Sequence, residues 1–130
     1  MASAEMELNP TYKKSLDFAV RIVRLCNYLQ DEKHECTMSK QLLRCGTSIG
    51  ANYSEAIGAE SNDDFIHKCS ISLKESNETK YWLTLLHRTG FLTDVEYDSI
   101  ILDCQEIRAI FAAIIHKCKQ KRNPNKEIKE

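Results

Sequence analysis

Two acidic side chains in the middle of the chain, Glu75 and Glu78, have the spacing of paired metal ligands on one helix. Carboxylates of this kind hold di-iron centres in helical bundles, where two helices also supply a Glu-x-x-His motif. No Glu-x-x-His occurs in this sequence. The four histidines are dispersed, without H-E-x-x-H or a zinc-type Cys/His quartet. We therefore predict no metal site and no cofactor.

Nucleophilic chemistry is also unsupported by the sequence. Cys45 and Ser48 lie near Arg44, but no histidine falls on the same helical face to act as a base. The glycines neither follow a predicted strand nor form a phosphate-binding loop. We therefore predict that the protein is not an enzyme.

A structural role fits these polar residues better. One predicted helix carries a polar stripe and the next carries the two carboxylates, and together they form a candidate structural polar network: Arg44, Ser48, Asn52, Glu55, Glu75 and Glu78. Antiparallel neighbours would let Arg44 reach a carboxylate with bidentate geometry. A partly buried network fixes register or subunit choice more than it adds stability. We predict that it lies either between subunits or between these two helices.

Four predicted helices position these side chains, at about 12–30, 39–59, 62–89 and 94–119, between flexible ends at 1–10 and 123–130. Apolar residues recur at helical spacing in each segment. With 130 residues, 42% of them hydrophobic, the chain has enough apolar surface for one core. Short connectors favour antiparallel neighbours. The sequence thus predicts an all-α protein with one domain over 1–130, an antiparallel up-down-up-down four-helix bundle.

Capping residues mark the helix starts. Thr37 or Ser39 can cap the second helix, and Ser61 or Asn62 the third. A capping box is predicted at the fourth helix, between the Thr93 hydroxyl and the Glu96 side chain three residues later.

The second helix carries two further patterns. Its apolar stripe consists of Leu42, Cys45, Ile49, Tyr53 and Ala56. Small residues also repeat every four positions, at Gly46, Gly50, Ser54 and Gly58. Since each glycine in a helix costs about 1 kcal/mol relative to alanine, this ridge indicates either a closely approaching backbone or a kinked, frayed helix.

The third helix has apolar residues on two sides. Phe65, Cys69 and Leu73 lie on one side, whereas Ile71, Trp82 and Leu85 lie nearly opposite. One helix of a lone bundle needs only one buried face. We therefore predict a homo-oligomer.

Composition bears on the compartment. Six cysteines are scattered without C-x-x-C pairs, mostly on apolar stripes, which favours reduced core thiols. No apolar run approaches the eighteen or so residues of a membrane span, and the amino terminus is too polar for a secretory signal. We predict a cytoplasmic protein that does not contact membranes.

Charge is unevenly distributed. The net charge is −1, but the segment HKCKQKRNPNKEIKE from residue 116 has six Lys or Arg against two Glu. The candidate nucleic-acid contacts here are Lys117, Lys119, Lys121 and Arg122. Cations at a helix end also complement its dipole, so a solvated helix terminus is the alternative. A second basic set lies on the polar side of the first helix, without interleaved aromatics: Lys13, Lys14, Arg21 and Arg24.

Three segments carry a resemblance to a known family. LLR-x-x-x-SI-x-AN-x-x-EA from Leu42 to Ala56, KES-x-E-x-x-YWL from Lys74 to Leu83, and SLDFAVRIVRL near the start resemble the bacterial four-helix-bundle family associated with intervening sequences of large-subunit ribosomal RNA. The chain is also distantly similar to the accessory variability determinant of diversity-generating retroelements. The resemblance implies an up-down-up-down bundle, assembled as a pentamer, with a role around structured RNA.

Two classes of function follow. The first is a non-enzymatic homo-oligomer that binds structured RNA or a nucleic-acid-handling ribonucleoprotein partner. The alternative is a protein-only oligomeric scaffold or adaptor with no nucleic-acid role. The near-neutral net charge departs from the strongly basic surface typical of nucleic-acid binders, so the location of the cations decides between the two.

Overall fold

The computed structural model describes residues 8–122, which form four helices. These are α1 (Pro10–Asp31), α2 (Thr37–Ile57), α3 (Asn62–Arg88) and α4 (Asp94–Arg122). Contacts between successive helices run in opposite senses along the chain, as when Ile49 of α2 meets Ser72 of α3 while Glu55 meets Lys68. The predicted all-α four-helix bundle is confirmed.

The core is built from the apolar stripes of all four helices. Every residue of the predicted α2 stripe is buried, from Leu42 to Ala56. Phe18 and Ile22 of α1 belong to the same buried cluster as Ile107 and Phe111 of α4. At the end of α4, Ile115 is buried, whereas Ile114 and Cys118 are only partly buried. The side chains that hold the fold therefore lie mainly where helical periodicity places them.

Helix starts agree with local capping chemistry in three cases. Asn9 accepts a hydrogen bond from the Tyr12 amide at 3.0 Å, so α1 begins at Pro10, two residues before its predicted start. Ser61 caps α3 by accepting from the Asp64 amide at 3.1 Å. Thr93 and Glu96 form the predicted capping box at α4. Of the predicted flexible ends, 1–7 and 123–130 lie outside the described residues.

The predicted cap of α2 is wrong. Neither Thr37 nor Ser39 caps this helix; the Glu35 carboxylate does, by accepting from the backbone amides of Thr37, Met38 and Ser39 at 3.0, 2.9 and 2.8 Å. His34, with φ of 56°, turns the chain immediately before it. Because Glu35 is only 8% exposed, its carboxylate satisfies three amide donors in a place that water barely reaches.

Small hydroxyl residues line the seam between α2 and α3. Ser72, Ser76 and Thr79 are fully buried on α3. Ser72 donates across the seam to the Ile49 carbonyl at 2.8 Å, and the other two donate to carbonyls of their own helix. Their small, satisfied side chains allow these helices to form the most extensive contact in the bundle.

The glycine ridge of α2 faces α1. A Cβ at Gly46 would lie 2.8 Å from Ile22 Cγ2, and one at Gly50 would lie 3.3 Å from Ser15 Cβ and 3.5 Å from its backbone carbonyl carbon. The predicted close backbone approach is therefore confirmed at Gly50. Gly58 lies just beyond the end of α2, and a Cβ there would meet only the Glu55 carbonyl oxygen, at 3.8 Å.

The seam between α1 and α4 is different in kind. Among the four neighbouring helix pairs, these two make the sparsest contact. Long charged side chains bridge them: Lys14 pairs with Glu106, and Arg21 pairs with Asp103 at 2.6 Å. Arg21 also donates to the Ser99 hydroxyl at 2.9 Å. The bundle is thus closed here by ion pairs over a shallow groove.

Four of the six thiols lie in the core. Burial raises the pKa of Cys26 and Cys104 to about 12 and that of Cys45 and Cys69 to about 11. They are therefore protonated at neutral pH and behave as small apolar side chains. Cys36 is exposed and Cys118 is partly buried.

Within residues 8–122, no helix contains an apolar stretch long enough to cross a bilayer.

Candidate nucleic-acid interface

The polar network predicted on α2 and α3 is partly formed. Arg44 donates to Glu75 at 3.3 Å and also pairs closely with Glu78, so one guanidinium joins two carboxylates of the next helix. Glu78 accepts a further hydrogen bond from Trp82 Nε1 at 3.1 Å. The network lies at the seam between α2 and α3, one of the two predicted locations, with Arg44 half exposed.

The other predicted members of the network do not join it. Ser48 donates to the Arg44 carbonyl at 2.7 Å, and Asn52 donates to the Ser48 carbonyl at 2.8 Å, both within α2. Glu55 pairs instead with Lys68 at 3.2 Å. The shared stripe is real, but side chains this short reach the backbone of their own helix before they reach a neighbour.

The charges of the network alter one another's ionisation. Partial burial opposes charge on Glu78, but hydrogen bonds from Trp82 and Arg44 outweigh it and lower the pKa of this carboxyl. The hydrogen bond to Glu78 correspondingly raises the pKa of Arg44. Glu78 therefore stabilises the fold when ionised, and its contribution is lost as the pH falls through its lowered pKa.

We expect the Arg44→Leu substitution to lower the free energy of unfolding at pH 7 by about 1 kcal/mol, because it removes a forked ion pair that is half open to water. The difference from the wild type should shrink once the pH falls below the ordinary glutamate pKa of about 4.3. Urea denaturation at pH 7 and pH 3 measures both effects. If the network also fixes subunit choice, light scattering will detect a changed assembly. Identical melting and identical assembly at pH 7 would contradict the structural role.

The predicted nucleic-acid contacts lie at the carboxyl end of α4. Lys117, Lys119 and Lys121 are exposed, and none forms an ion pair with another residue of the described part of the chain. Lys117 and Lys121 share a face of the helix, whereas Lys119 lies on nearly the opposite side. Arg122 is the last residue of α4. The three lysines therefore lie on different sides of the helix end instead of forming one stripe.

Acidic residues lie close to part of this end. Lys121 lines a surface depression together with Asp63, Asn62 and Ser61 from the first turn of α3. The Asp63 carboxylate lowers the local positive potential. Lys117 and Lys119 do not line this depression, so these two lysines contribute most to the positive potential of this end.

The second basic set, on α1, is largely neutralised. Lys13 pairs with Asp17 at 2.7 Å within the helix, and Lys14 and Arg21 hold the seam to α4. Of this set, Arg24 alone forms no ion pair within residues 8–122. This surface is consequently a poor site for phosphate.

The structure also assembles a basic surface that sequence reasoning missed. A groove of about 400 Å³ on the outer side of α3 is lined by Asn77, Lys80, Tyr81, Thr84, Leu85 and Arg88. Arg108 of α4 reaches its edge by donating to Asn77 Oδ1 at 2.5 Å. The helical spacing of Lys80, Tyr81 and Arg88 places them on one exposed side of α3, and this could have been read from the sequence. The position of Arg108 could not, because it depends on the register between two helices.

Residues that hold metals or act as bases in enzymes are not gathered in this way. Within residues 8–122, no three side chains of His, Cys, Asp or Glu stand close enough to share a metal ion. His87 stacks on Tyr97 with ring centroids 4.3 Å apart and meets Asp94 at 2.6 Å. It thus joins the α3–α4 turn, where a structural role accounts for its contacts.

Comparisons with known proteins agree with this architecture. The family model described as 23S rRNA-intervening sequence protein matches residues 7–113. A crystal structure from Bacteroides thetaiotaomicron, of a protein with unknown function from the S23 ribosomal protein family, is 54% identical with a TM-score of 0.80. The alignment covers 81% of this chain and 97% of that one. No curated protein matches the chain.

Proposed function

Because the chain belongs to the 23S rRNA-intervening sequence protein family, we propose that it is a non-enzymatic homo-oligomer that binds structured RNA in the cytoplasm. The observation that carries the proposal is the set of exposed lysines at the end of α4 that form no ion pair within residues 8–122. Phosphate contacts of this kind supply sequence-independent affinity. The near-neutral net charge is compatible with it, because the acidic residues lie largely elsewhere.

Exposed apolar residues support assembly. Leu16, Val20 and Val23 follow one another at helical spacing on the outer side of α1, each at least 39% exposed. Of the three α3 residues predicted to lie opposite the core face, Trp82 packs against the core. Ile71 and Leu85 are partly exposed, and Leu85 lines the groove on the outer side of α3. The exposed apolar stripe of α1 favours a protein contact. A second copy of the chain would cover it, and we propose a pentamer on the family resemblance.

Assembly would also multiply the basic helix end. A symmetric ring carries one copy of Lys117, Lys119 and Lys121 for every subunit, and phosphates of one folded RNA can contact several copies at once. Weak single contacts then sum to useful affinity. The helix end does not need to match a base sequence, because backbone contacts position an RNA without reading it.

A non-enzymatic role agrees with the state of the nucleophiles. The four core thiols have pKa values of about 11 or 12 and are buried among apolar side chains. Cys36 is exposed at the opposite end of the bundle from the basic helix end. No step of bond formation or cleavage is needed for a protein that folds around, holds or protects an RNA.

The test is a fluorescence anisotropy titration with a structured bacterial RNA at about 50 and 200 mM salt. Replacing Lys117, Lys119 and Lys121 together with glutamine should weaken binding at least tenfold and reduce the salt slope by about one for each phosphate that is no longer neutralised. The matched control replaces Arg24, Lys33 and Lys40, exposed cations towards the other end of the bundle, and should bind as the wild type does.

Two results would change the proposal. Wild-type protein that binds no RNA at low salt would exclude direct RNA recognition and leave the protein-only scaffold, which the exposed apolar stripe of α1 favours. Wild-type binding with no effect of the triple substitution would place the phosphate contacts elsewhere on the surface.

A further inference from the structure

The groove on the outer side of α3 combines an aromatic ring with positive charge. Tyr81 is 59% exposed and stands between Lys80 and Arg88, with Asn77 and Thr84 on the same side of the helix. The volume of the groove, about 400 Å³, falls within the range of sites that hold small ligands. The groove differs from the end of α4, where the aromatic side chain beside Lys121, Phe65, is partly buried against the core.

The tyrosine ring is held in place from one side. It packs edge-to-face against Trp82, with ring centroids 5.1 Å apart and an interplanar angle of 81°. Trp82 is itself fixed by its hydrogen bond to Glu78. An aromatic pair braced in this way loses little freedom when a planar group stacks on the exposed ring.

The cations around the ring are available to an anion. Lys80 and Arg88 are exposed and form no ion pair within residues 8–122. Glu75 and Glu78, the glutamates of the same helix, turn towards Arg44 of α2, and the two aspartates of α3 lie at the other end, in its first turn. Arg108 is bound to a neutral amide oxygen, which leaves its charge uncompensated. Two positive charges therefore line the groove beside the exposed ring, and a third lies at the groove edge.

The amide at the groove edge adds a directional contact. Asn77 uses its oxygen to accept from Arg108. Its amide nitrogen keeps its donors, and the residue lines the same groove as Tyr81. A planar heterocycle with acceptor atoms on its edge satisfies this arrangement better than an aliphatic chain does.

We propose that this groove binds an unpaired stretch of RNA, with a base stacked on Tyr81 and the flanking phosphates at Lys80, Arg88 and Arg108. The inference rests on the proposed RNA-binding function and assigns it a specificity for unpaired nucleotides. A duplex keeps its base faces inside the stack and cannot offer one to Tyr81, whereas loops and bulges can. Stacking of this kind accepts any base, because each has a π face.

The experiment compares two RNA hairpins of equal length, one with an open internal loop and one fully paired along the stem. Anisotropy titrations use the full chain and three variants. Tyr81→Ala should lower affinity for the looped RNA about tenfold or more and leave the paired RNA unaffected. Tyr81→Phe, which keeps the ring, should restore wild-type binding. Tyr28→Ala, the matched control, removes another exposed tyrosine that lies near a lysine and should have no effect.

Each other outcome is decisive. If Tyr81→Ala binds both RNAs as the wild type does, the groove is not the site, and the proposed RNA-binding function stands on the lysines of α4. If the wild type binds neither RNA, both proposals fall. If light scattering shows that Tyr81→Ala changes the assembly, the ring belongs to a contact between subunits and the groove is not an RNA site. If an acidic peptide displaces the looped RNA equally well from the wild type and from Tyr81→Ala, the stacking contact is also overturned.

Discussion

Replacing Glu35 with alanine should lower the free energy of unfolding by about 3 kcal/mol. The carboxylate accepts from three consecutive amides at the start of α2, at 2.8 to 3.0 Å. Alanine leaves these donors without a partner where Glu35 is almost wholly buried, and each unsatisfied buried group costs about 1–3 kcal/mol, partly offset by water that enters the space. Loss of a negative charge at a helix amino terminus adds to the effect. Chemical denaturation monitored by circular dichroism measures it.

Two variants separate capping from other roles of this connector. Glu35→Gln keeps one acceptor oxygen but turns its amide NH2 group towards a backbone donor. We therefore expect an intermediate loss of about 1–2 kcal/mol in the free energy of unfolding. Glu32→Ala, three residues earlier and exposed, should change stability by less than about 0.5 kcal/mol. Equal losses for Glu32→Ala and Glu35→Ala would show that the amides of α2 do not depend on this carboxylate.

Gly46→Ala should lower the free energy of unfolding by about 2 kcal/mol. In an unhindered helix the same change would instead raise it by about 1 kcal/mol. The new Cβ would lie 2.8 and 2.9 Å from two carbons of Ile22. Ile22 is fully buried and β-branched, so it cannot rotate away. Either α1 moves outward or the core is overpacked, at a cost of about 1–3 kcal/mol. Thermal and urea unfolding both report the change.

The Gly46 prediction has a matched control and an internal check. Gly58→Ala meets nothing closer than 3.8 Å and has a φ of −94°, which alanine adopts without strain; its effect should be neutral. In an Ile22→Ala background the clashing carbons are absent, so the penalty of Gly46→Ala should largely vanish in a double-mutant cycle. A penalty that persists there would place the conflict in the helix backbone instead.

The polar side of the structure is harder to predict from sequence than the apolar side. The stripe from Leu42 to Ala56 is buried as predicted because side chains four residues apart on a helix must share a face. The cap of α2 escapes prediction because Glu35 acts from outside the helix, and its reach depends on the turn at His34. Preferences for capping residues describe the position immediately before a helix and do not register such a turn.

The same limit applies to the charged residues. The sequence predicts that Arg44 reaches a carboxylate of the next helix, and it reaches two. Glu55 shares their stripe but pairs with Lys68, because its position along α2 lies more than two turns away. Periodicity determines the face of a helix; the register between helices determines the partner. The groove beside Tyr81 depends on that register too, since Arg108 belongs to a different helix.

The sparse seam between α1 and α4 has a consequence for how the chain folds. Helices adjacent in sequence form the extensive contacts, and α1 and α4 are bridged by ion pairs between long side chains. Contacts between sequence neighbours need only short loops to close, and helical bundles of this kind fold within microseconds to milliseconds. The hairpin of α2 and α3 can collapse first, with α1 and α4 docking from either side in either order. The contact between α1 and α4 then forms last, and dissolved salt weakens the ion pairs that hold it.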